Sequence, residues 1–205
     1  QKISSSKEHS NDLIEQDPYI EFKGTGFKDP VTAEKIQISE GICLIVEAEG
    51  PMLAKKAYDI YLRRCGIKKL GSQLKKIMNS AMQYAINNNQ IETEDEWGKG
   101  GIIYSIVRIK DSAPIKLRKL GSRLFDEIPP SELQTASILL KKENMELGGE
   151  ENLRDVLNYY GLKRLTPSVK ESFKEANRVR FEYVDKYFKQ NKSLAPSPSK
   201  PSVKV

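Results

Sequence analysis

The chain has 205 residues, 38% hydrophobic and 30% charged, with a formal net charge of +6, which leaves room for one large or two small domains. No apolar run approaches the roughly 20 residues of a membrane-spanning helix, and the N-terminus lacks the apolar core of a signal peptide. We therefore expect a cytoplasmic protein without a membrane partner, and its two cysteines fit reduced thiols better than a disulfide or metal framework.

The N-terminal part predicts a linker followed by a short strand and a helix. Residues 1–17 are polar and Ser-rich, as is typical of a disordered linker. A short strand is predicted over Tyr19–Phe27 and a helix over Ile36–Ala48, with a strand over Ile42–Val46 as the alternative. The chain begins with Gln rather than Met, so we expect a piece of a longer protein.

Two further helices are predicted next, joined by a short basic turn. The first of them begins near Pro51, which suits a first helical turn, and ends at Cys65 before Gly66. The second begins near Ser72 and ends in the asparagines that follow Ile86, and its apolar residues recur at helical spacing. Two helices joined by a turn that contains glycine have the outline of a helix-turn-helix.

A hairpin is predicted after the third helix. The segments Gln90–Thr93 and Ile102–Val107 read as strands, and the glycine-rich stretch Glu94–Gly101 reads as the loop between them. Three helices followed by a two-stranded hairpin is the order of a winged helix. The interpretation is therefore a winged-helix-like domain over residues 18–110, which we call the first unit.

A second, all-helical domain is predicted over residues 131–189, which we call the second unit. A basic connector at 111–130 precedes it, and a disordered Pro/Ser-rich tail at 190–205 follows it. Its predicted helices are Ser131–Asn144, Glu150–Tyr160 and Pro167–Phe188. No hairpin pattern follows them. The fold class is thus mainly α (α+β), with tandem helix-turn-helix units of which the second has no wing.

The two units share a sequence pattern 95 residues apart. Gly66-Ile67-Lys68-Lys69-Leu70 corresponds to Gly161-Leu162-Lys163-Arg164-Leu165, and Leu62 falls on Leu157. In both copies an amphipathic helix ends at glycine and a two-base turn follows. The repeat predicts one architecture used twice.

Clustered basic residues in the first unit point to a polyanionic partner. Eight of them are predicted to contact DNA phosphates: Lys55, Lys56, Arg63, Arg64, Lys68, Lys69, Lys75 and Lys76. On the third helix, Ser72, Asn79 and Gln83 are predicted to face the DNA groove, because such side chains can hydrogen-bond to base edges. The alternative is a solvated or protein-contacting face. The second unit presents a mixed-charge row instead, which favours a docking surface.

No catalytic signature is present in the sequence. His9 is the single histidine and lies in the predicted linker, so histidine-based acid–base catalysis is not expected. No phosphate-binding or dinucleotide-binding glycine motif occurs. We therefore predict a module that is not an enzyme, with no catalytic residues, no metal site and no cofactor. The acidic hairpin tip around Trp97 departs from a basic, DNA-gripping wing.

The stretch Val46–Pro51 followed by Cys65–Ser72 resembles the signature of domain-of-unknown-function family 3320, roughly V-x-x-E-G-P … G-I-x-R-x-G-S. Ile128–Leu133 and Tyr160–Leu165 resemble segments downstream in such proteins, so the resemblance covers about residues 19–188. Members lie at the C-terminal end of large bacterial proteins that combine a superfamily 1 helicase motor with a Vsr-like or restriction-type nuclease domain and are linked to defence against foreign DNA. The chain departs from the pattern at Lys69, where arginine is commoner.

The resemblance implies an accessory module of a DNA-processing machine, with the upstream helicase and nuclease domains as partners. Together with the basic residues, it predicts a non-catalytic module that contacts duplex DNA through the first helix-turn-helix with low sequence specificity. The alternative function is a protein–protein interaction or domain-positioning module within the same assembly. The sequence leaves the oligomeric state open.

Overall fold

The computed structural model describes residues 14–178 and 180–192. In this part of the chain the regular structure consists of seven α-helices and a small three-stranded antiparallel sheet, so the mixed, mainly helical class is confirmed. The helices are α1 (Lys35–Glu49), α2 (Ala54–Arg64), α3 (Ser72–Asn87), α4 (Pro130–Leu139), α5 (Glu150–Tyr159), α6 (Pro167–Arg178) and α7 (Glu182–Gln190). The strands are β1 (Met52–Leu53), β2 (Ile91–Glu94) and β3 (Ile106–Ile109). Every described helix is too short or too polar to traverse a lipid bilayer.

The first unit contains α1, α2, α3 and the whole sheet. The three predicted helices are present, and α1 replaces the alternative strand over Ile42–Val46. The start predicted for the second helix near Pro51 is wrong, because Met52–Leu53 form β1 and α2 begins at Ala54. In the sheet, β3 lies between β1 and β2, with Met52 opposite Val107 and Ile91 opposite Ile109. The two-residue strand β1 was not predicted, because it is too short to produce an alternating pattern.

Two strand predictions in the first unit are wrong. The stretch Tyr19–Phe27 contains no strand; its apolar rings pack instead, with Phe27 stacked on Tyr61 at 4.5 Å between ring centroids. The predicted strand Ile102–Val107 begins as a 3₁₀ turn at Ile102–Tyr104, and the paired residues are Ile106–Ile109. Gly101, with a φ of 82°, directs the chain into that turn, a conformation that favours glycine.

A compact apolar core holds the first unit together. Ile38, Ile42 and Ile45 on α1 recur at helical spacing and are fully buried, as are Met78 and Met82 on α3. These side chains meet between the two helices, so burial of the α1 and α3 stripes sets the position of the outer, polar face of α3.

The second unit repeats the helical framework of the first. Helices α4 and α6 begin 95 residues after α1 and α3. Gly66 and Gly161 end the preceding helices with φ of 77° and 72°. The next amide donates back to the helix in both copies, from Ile67 to the Leu62 carbonyl and from Leu162 to the Leu157 carbonyl, each at 2.8 Å. The shared helix C-terminus is a Schellman-type ending that requires a left-handed residue.

Two predictions for the second unit are corrected. The helix expected over Ser131–Asn144 ends at Leu139, and the single helix expected over Pro167–Phe188 is two helices, α6 and α7. Phe181, which precedes α7, has extended backbone and a buried ring. Burial of that ring beside Val184 and Ile115 turns the chain, an outcome that helical periodicity alone does not reveal.

A buried charge cluster joins the two units. Glu132 on α4 accepts from the guanidinium groups of Arg118, at 3.1 Å, and Arg123, at 2.8 Å, and its side chain is 1% exposed. The Tyr19 ring lies against both guanidinium groups, 5.4 Å and 4.8 Å from its centroid. We call these four residues the arginine clamp. Because the pairs are buried and hydrogen-bonded, the clamp makes relative motion of the units costly.

Arg118 also connects the clamp to the first unit by hydrogen bonds. Its guanidinium donates to the backbone carbonyls of Glu49, at 2.6 Å, Gly50, at 3.3 Å, and Pro51, at 2.7 Å. The Glu49 carboxylate in turn accepts from the Tyr19 hydroxyl and from the Phe22 amide. The end of α1 is therefore tied to the start of α4 by one arginine side chain.

The residues before the first unit also pair with the connector. The Asp17 amide donates to the Leu117 carbonyl at 2.9 Å, and the Lys119 amide donates back to Asp17 at the same distance. Ile14 packs against the core of the second unit. Residues 1–13 of the predicted linker and 193–205 of the predicted tail lie outside the described residues.

Candidate functional site

A cavity of about 460 Å³ lies beside the turn that joins α2 to α3. Four cations and a single carboxylate line it together with three apolar side chains. The lining residues are Lys55, Asp59, Leu62, Arg63, Ile67, Lys68, Lys69 and Leu70. We call this the basic cavity. Its charge balance suits an anionic group better than a neutral or cationic one.

Local sequence explains why the cations converge. Lys55 and Arg63 are exposed on the polar side of α2, opposite the buried Ala57 and Tyr61. Lys68 and Lys69 are exposed in the turn after Gly66. The left-handed glycine reverses the chain within three residues, so the turn lysines return to the side of the helix that carries the other two cations.

Among the described residues, Lys55 is the only cavity cation that forms an ion pair. Its ammonium lies 2.7 Å from the Asp59 carboxylate one turn later on α2. The pair is substantially exposed, so it is weak and salt-sensitive. Lys55 can exchange Asp59 for an incoming phosphate at little cost, and the other three cations add to the positive potential.

Of the eight predicted phosphate contacts, the structure brings four together in the basic cavity: Lys55, Arg63, Lys68 and Lys69. Lys76 is exposed on α3 outside the cavity lining, and Lys75 lies over the Tyr104 ring at 5.6 Å. Arg64 donates to the Phe22 carbonyl at 2.6 Å.

Lys56 is buried, unlike the other basic residues of α2. Its side chain is 5% exposed, and its ammonium lies 2.8 Å from the Glu127 carboxylate. The prediction that it contacts a solvent-side phosphate is therefore corrected. Adjacent residues on a helix are about 100° apart, so Lys56 turns toward the 3₁₀ segment Phe125–Glu127, whereas Lys55 stays outside.

The three predicted groove-facing residues have different surroundings. Ser72 is exposed at the start of α3, where no side chain caps the helix. Asn79 is half-buried, and its carbonyl oxygen accepts from the Tyr58 hydroxyl at 3.0 Å. Gln83 is exposed and donates to Asn87 at 2.8 Å. Two of the three side chains, the amides of Asn79 and Gln83, thus already make hydrogen bonds within the protein.

The acidic hairpin is held by contacts of its own. Glu92 pairs with Arg108 across the strands at 2.7 Å. Asp95 accepts from the amides of Lys99 and Gly100 in the loop, at 3.1 Å and 2.8 Å. The ammonium of Lys99 lies over the Trp97 ring, 4.9 Å from its centroid.

Glu96 attaches the hairpin to the second unit. Its buried carboxylate accepts from the backbone amide of Ser131, at 2.8 Å, and from the Ser131 hydroxyl, at 3.0 Å. Pro129 supplies no side-chain cap to α4, so Glu96 acts as that cap from another part of the chain. Burial raises the pKa of the Glu96 carboxyl to about 7, although the Ser131 hydrogen bonds oppose the rise.

Matching positions in the second unit carry a different set of charges. The Lys55–Asp59 pair is replaced 95 residues later by Glu150–Arg154, in which the two charges are exchanged. Asn158 stands where the first unit has Arg63. The architecture is repeated, but the cation cluster on α2 is not.

The arginine clamp and the Glu96 contact could not be predicted from the sequence. Arg118 and Arg123 belong to a basic run, which suggested surface charge, and nothing local marks them as buried. Glu132 in the first turn of α4 resembles an ordinary helix-start acid. Their partners lie on separate elements, and only the tertiary structure joins them.

Compared with family models, curated proteins and solved structures, the chain has no significant match. The resemblance to the domain-of-unknown-function family therefore rests on the quoted motifs alone.

Proposed function

We propose that the first unit is a winged-helix-like helix-turn-helix that binds duplex DNA without catalysing a reaction. The basic cavity at the α2–α3 turn carries this proposal, because it gathers Lys55, Arg63, Lys68 and Lys69 beside the start of α3. The element order α1-β1-α2-α3-β2-β3, with β3 in the middle of the sheet, supports the winged-helix assignment.

Phosphates are the chemical groups that fit this cavity. Lysine and arginine side chains neutralise the DNA backbone and release its condensed counterions, so binding weakens steeply with salt. The uncapped start of α3 adds backbone N–H groups and the positive end of the helix dipole next to the cavity. In a larger helicase/nuclease protein, as the motif resemblance implies, such a module would hold the substrate duplex.

The test is fluorescence anisotropy with a labelled duplex of about 16 base pairs, titrated with the chain at two salt concentrations. We expect binding at ~50 mM salt, and we expect Lys68→Glu with Lys69→Glu to weaken it by roughly tenfold or more. The matched control is Lys163→Glu with Arg164→Glu, which makes the same charge change in the exposed turn of the second unit. Absence of binding, or an equal loss in both double variants, contradicts the proposal.

A second candidate function is domain positioning within the same assembly. The specific observation in its favour is that the hairpin tip is already attached to the second unit through Glu96 and Ser131, while the arginine clamp holds the units together. A rigid two-unit body is suited to orient neighbouring domains. Co-purification with the helicase and nuclease domains, unaffected by the Lys68→Glu/Lys69→Glu variant that lacks DNA affinity, would support this function.

A further inference from the structure

We propose that the first unit binds duplex DNA through its phosphates alone and does not distinguish one base sequence from another. This inference rests on the proposed function and specifies what the same site recognises. It follows from the contacts of three groups: the polar side chains of α3, the hairpin tip and the cavity cations.

The amides on the outer face of α3 are poorly placed to identify bases. Specific reading of adenine by Asn or Gln requires a bidentate contact in which the side chain uses both its oxygen and its nitrogen. The Asn79 oxygen is held by the buried Tyr58 hydroxyl, and the Gln83 nitrogen is held by Asn87. Each side chain would have to give up a hydrogen bond within the protein to make such a contact.

The remaining residues of that face bind without strong discrimination. Ser72 and Lys76 are exposed on α3, but a hydroxyl pairs with several bases and a lysine reaches either guanine or a phosphate. Neither provides the planar, two-pronged geometry of arginine. Gln73 is an exposed amide in the first turn of α3, and it is therefore the residue on which the inference is most directly tested.

The side chains of the hairpin tip also make their contacts within the protein. Glu96 is buried against Ser131, Asp95 binds its own loop amides, and Trp97 is covered by Lys99. A wing that reads the minor groove needs a free cation or polar side chain at its tip. Here the tip is used for contact between the units, so it adds no base recognition.

The cavity cations set the expected strength and salt dependence. Three of the four are lysines, which act as point charges on phosphates. If all four neutralise phosphates, the logarithm of the binding constant falls with the logarithm of salt concentration with a slope of about −3.6. Raising salt from ~50 to ~200 mM then weakens binding by about 150-fold, and Lys68→Ala or Lys69→Ala reduces the slope by about 0.9.

The experiment combines selection from a random-sequence duplex library with competition between defined duplexes of equal length. We expect no enriched motif, Kd values within about threefold for A·T-rich and G·C-rich duplexes, and no change in that ratio for Gln73→Ala or Asn79→Ala, because loss of a base-reading side chain would change the ratio by about fivefold or more. An enriched motif preferred by more than about tenfold, and lost in Gln73→Ala, overturns the inference. Absence of binding to every duplex overturns the proposed function and this inference together, whereas selective binding overturns the inference alone.

Discussion

The burial of the arginine clamp predicts that breaking it lowers the free energy of unfolding substantially. Replacing Glu132 with glutamine keeps the size of the side chain but removes the negative charge that lies between Arg118 and Arg123. Glu132 is 1% exposed, and its oxygens accept from both guanidinium groups at 2.8–3.1 Å. The substitution therefore leaves two positive charges in a buried site without their shared partner.

The size of the effect follows from that burial. Removing one partner of a buried ion pair costs about 3–5 kcal/mol, because the other charge stays desolvated. For a chain of this size, each kcal/mol lowers the unfolding midpoint by about 2–4 °C, so Glu132→Gln should unfold about 6–20 °C below the wild type. The same change should separate the unfolding of the two units, since the clamp joins α4 to the end of α1.

Urea titration and calorimetry measure both effects. The wild type should show one transition, and Glu132→Gln an earlier transition that is broader or has two steps. Glu150→Gln is the matched control in the second unit, because its pairs with Arg154 and Lys170 are exposed on both sides; its unfolding midpoint should barely move. A free-energy loss below about 1 kcal/mol in Glu132→Gln would refute the argument that burial makes this pair costly to break.

Three further outcomes are expected. The Glu96 carboxyl has a pKa of about 7 in the folded chain, raised by burial from an ordinary value of 4.5; the folded state therefore binds the proton more tightly, and the free energy of unfolding should fall by about 3 kcal/mol as pH rises from 4.5 to 7. Titration of Glu96→Gln should lack that part of the slope, and identical slopes would contradict it. Gly66→Ala and Gly161→Ala should each cost about 1–2 kcal/mol in urea unfolding, because a left-handed residue with open space around it is strained only by its backbone; a neutral change at either position argues against the shared turn. Lys56→Met should lower stability by roughly 1–3 kcal/mol, since it removes the ion pair of the Glu127 carboxylate and leaves it only the hydrogen bond from the Leu124 amide. It should leave the salt dependence of DNA binding unchanged; a reduced slope would mean that Lys56 reaches phosphate.

The helices could be predicted because their signals are local. Gly66 and Gly161 mark helix ends by backbone conformation alone, and the apolar stripe of α3 follows from spacing. Both features are encoded within about ten neighbouring residues. The bounds of α1 and α3 therefore agree closely with the predictions, whereas α2 begins at Ala54 rather than near Pro51. The 95-residue repeat appears again in the starts of α4 and α6.

The errors come from contacts between distant residues. The stretch Tyr19–Phe27 was predicted as a strand, but Phe22 stacks on Phe27 and Phe27 stacks on Tyr61, and the stretch pairs with no strand. Lys56 is basic and lies next to Lys55, yet it faces Glu127, which is 71 residues away. The break before α7 depends on the burial of Phe181 beside Ile115. None of these partners can be placed before the tertiary structure is known.

The candidate site, too, could be predicted from the sequence only in part. Lys68 and Lys69 could be found because they occupy a recognisable turn, and Arg63 because it lies on the outer face of a predicted helix. Their convergence into one cavity depends on how sharply Gly66 reverses the chain. The sequence does not explain why the hairpin is acidic. The partners of its carboxylates, which are Arg108, the loop amides and Ser131, are known only from the structure.

The motifs behind the family resemblance have separate physical roles. The stretch ending in Glu49-Gly50-Pro51 is structural, because its backbone carbonyls accept hydrogen bonds from the Arg118 guanidinium. A Cβ on Gly50 would lie 2.5 Å from the Val46 carbonyl oxygen. The stretch from Gly66 to Ser72 instead presents Lys68 and Lys69 to solvent at the basic cavity. A chain could therefore keep the first motif, and with it the joint between the units, while changes in the second motif remove the DNA binding that we propose. It follows that Glu49-Gly50-Pro51 predicts architecture, whereas the cations of the α2–α3 turn are the residues from which binding should be predicted.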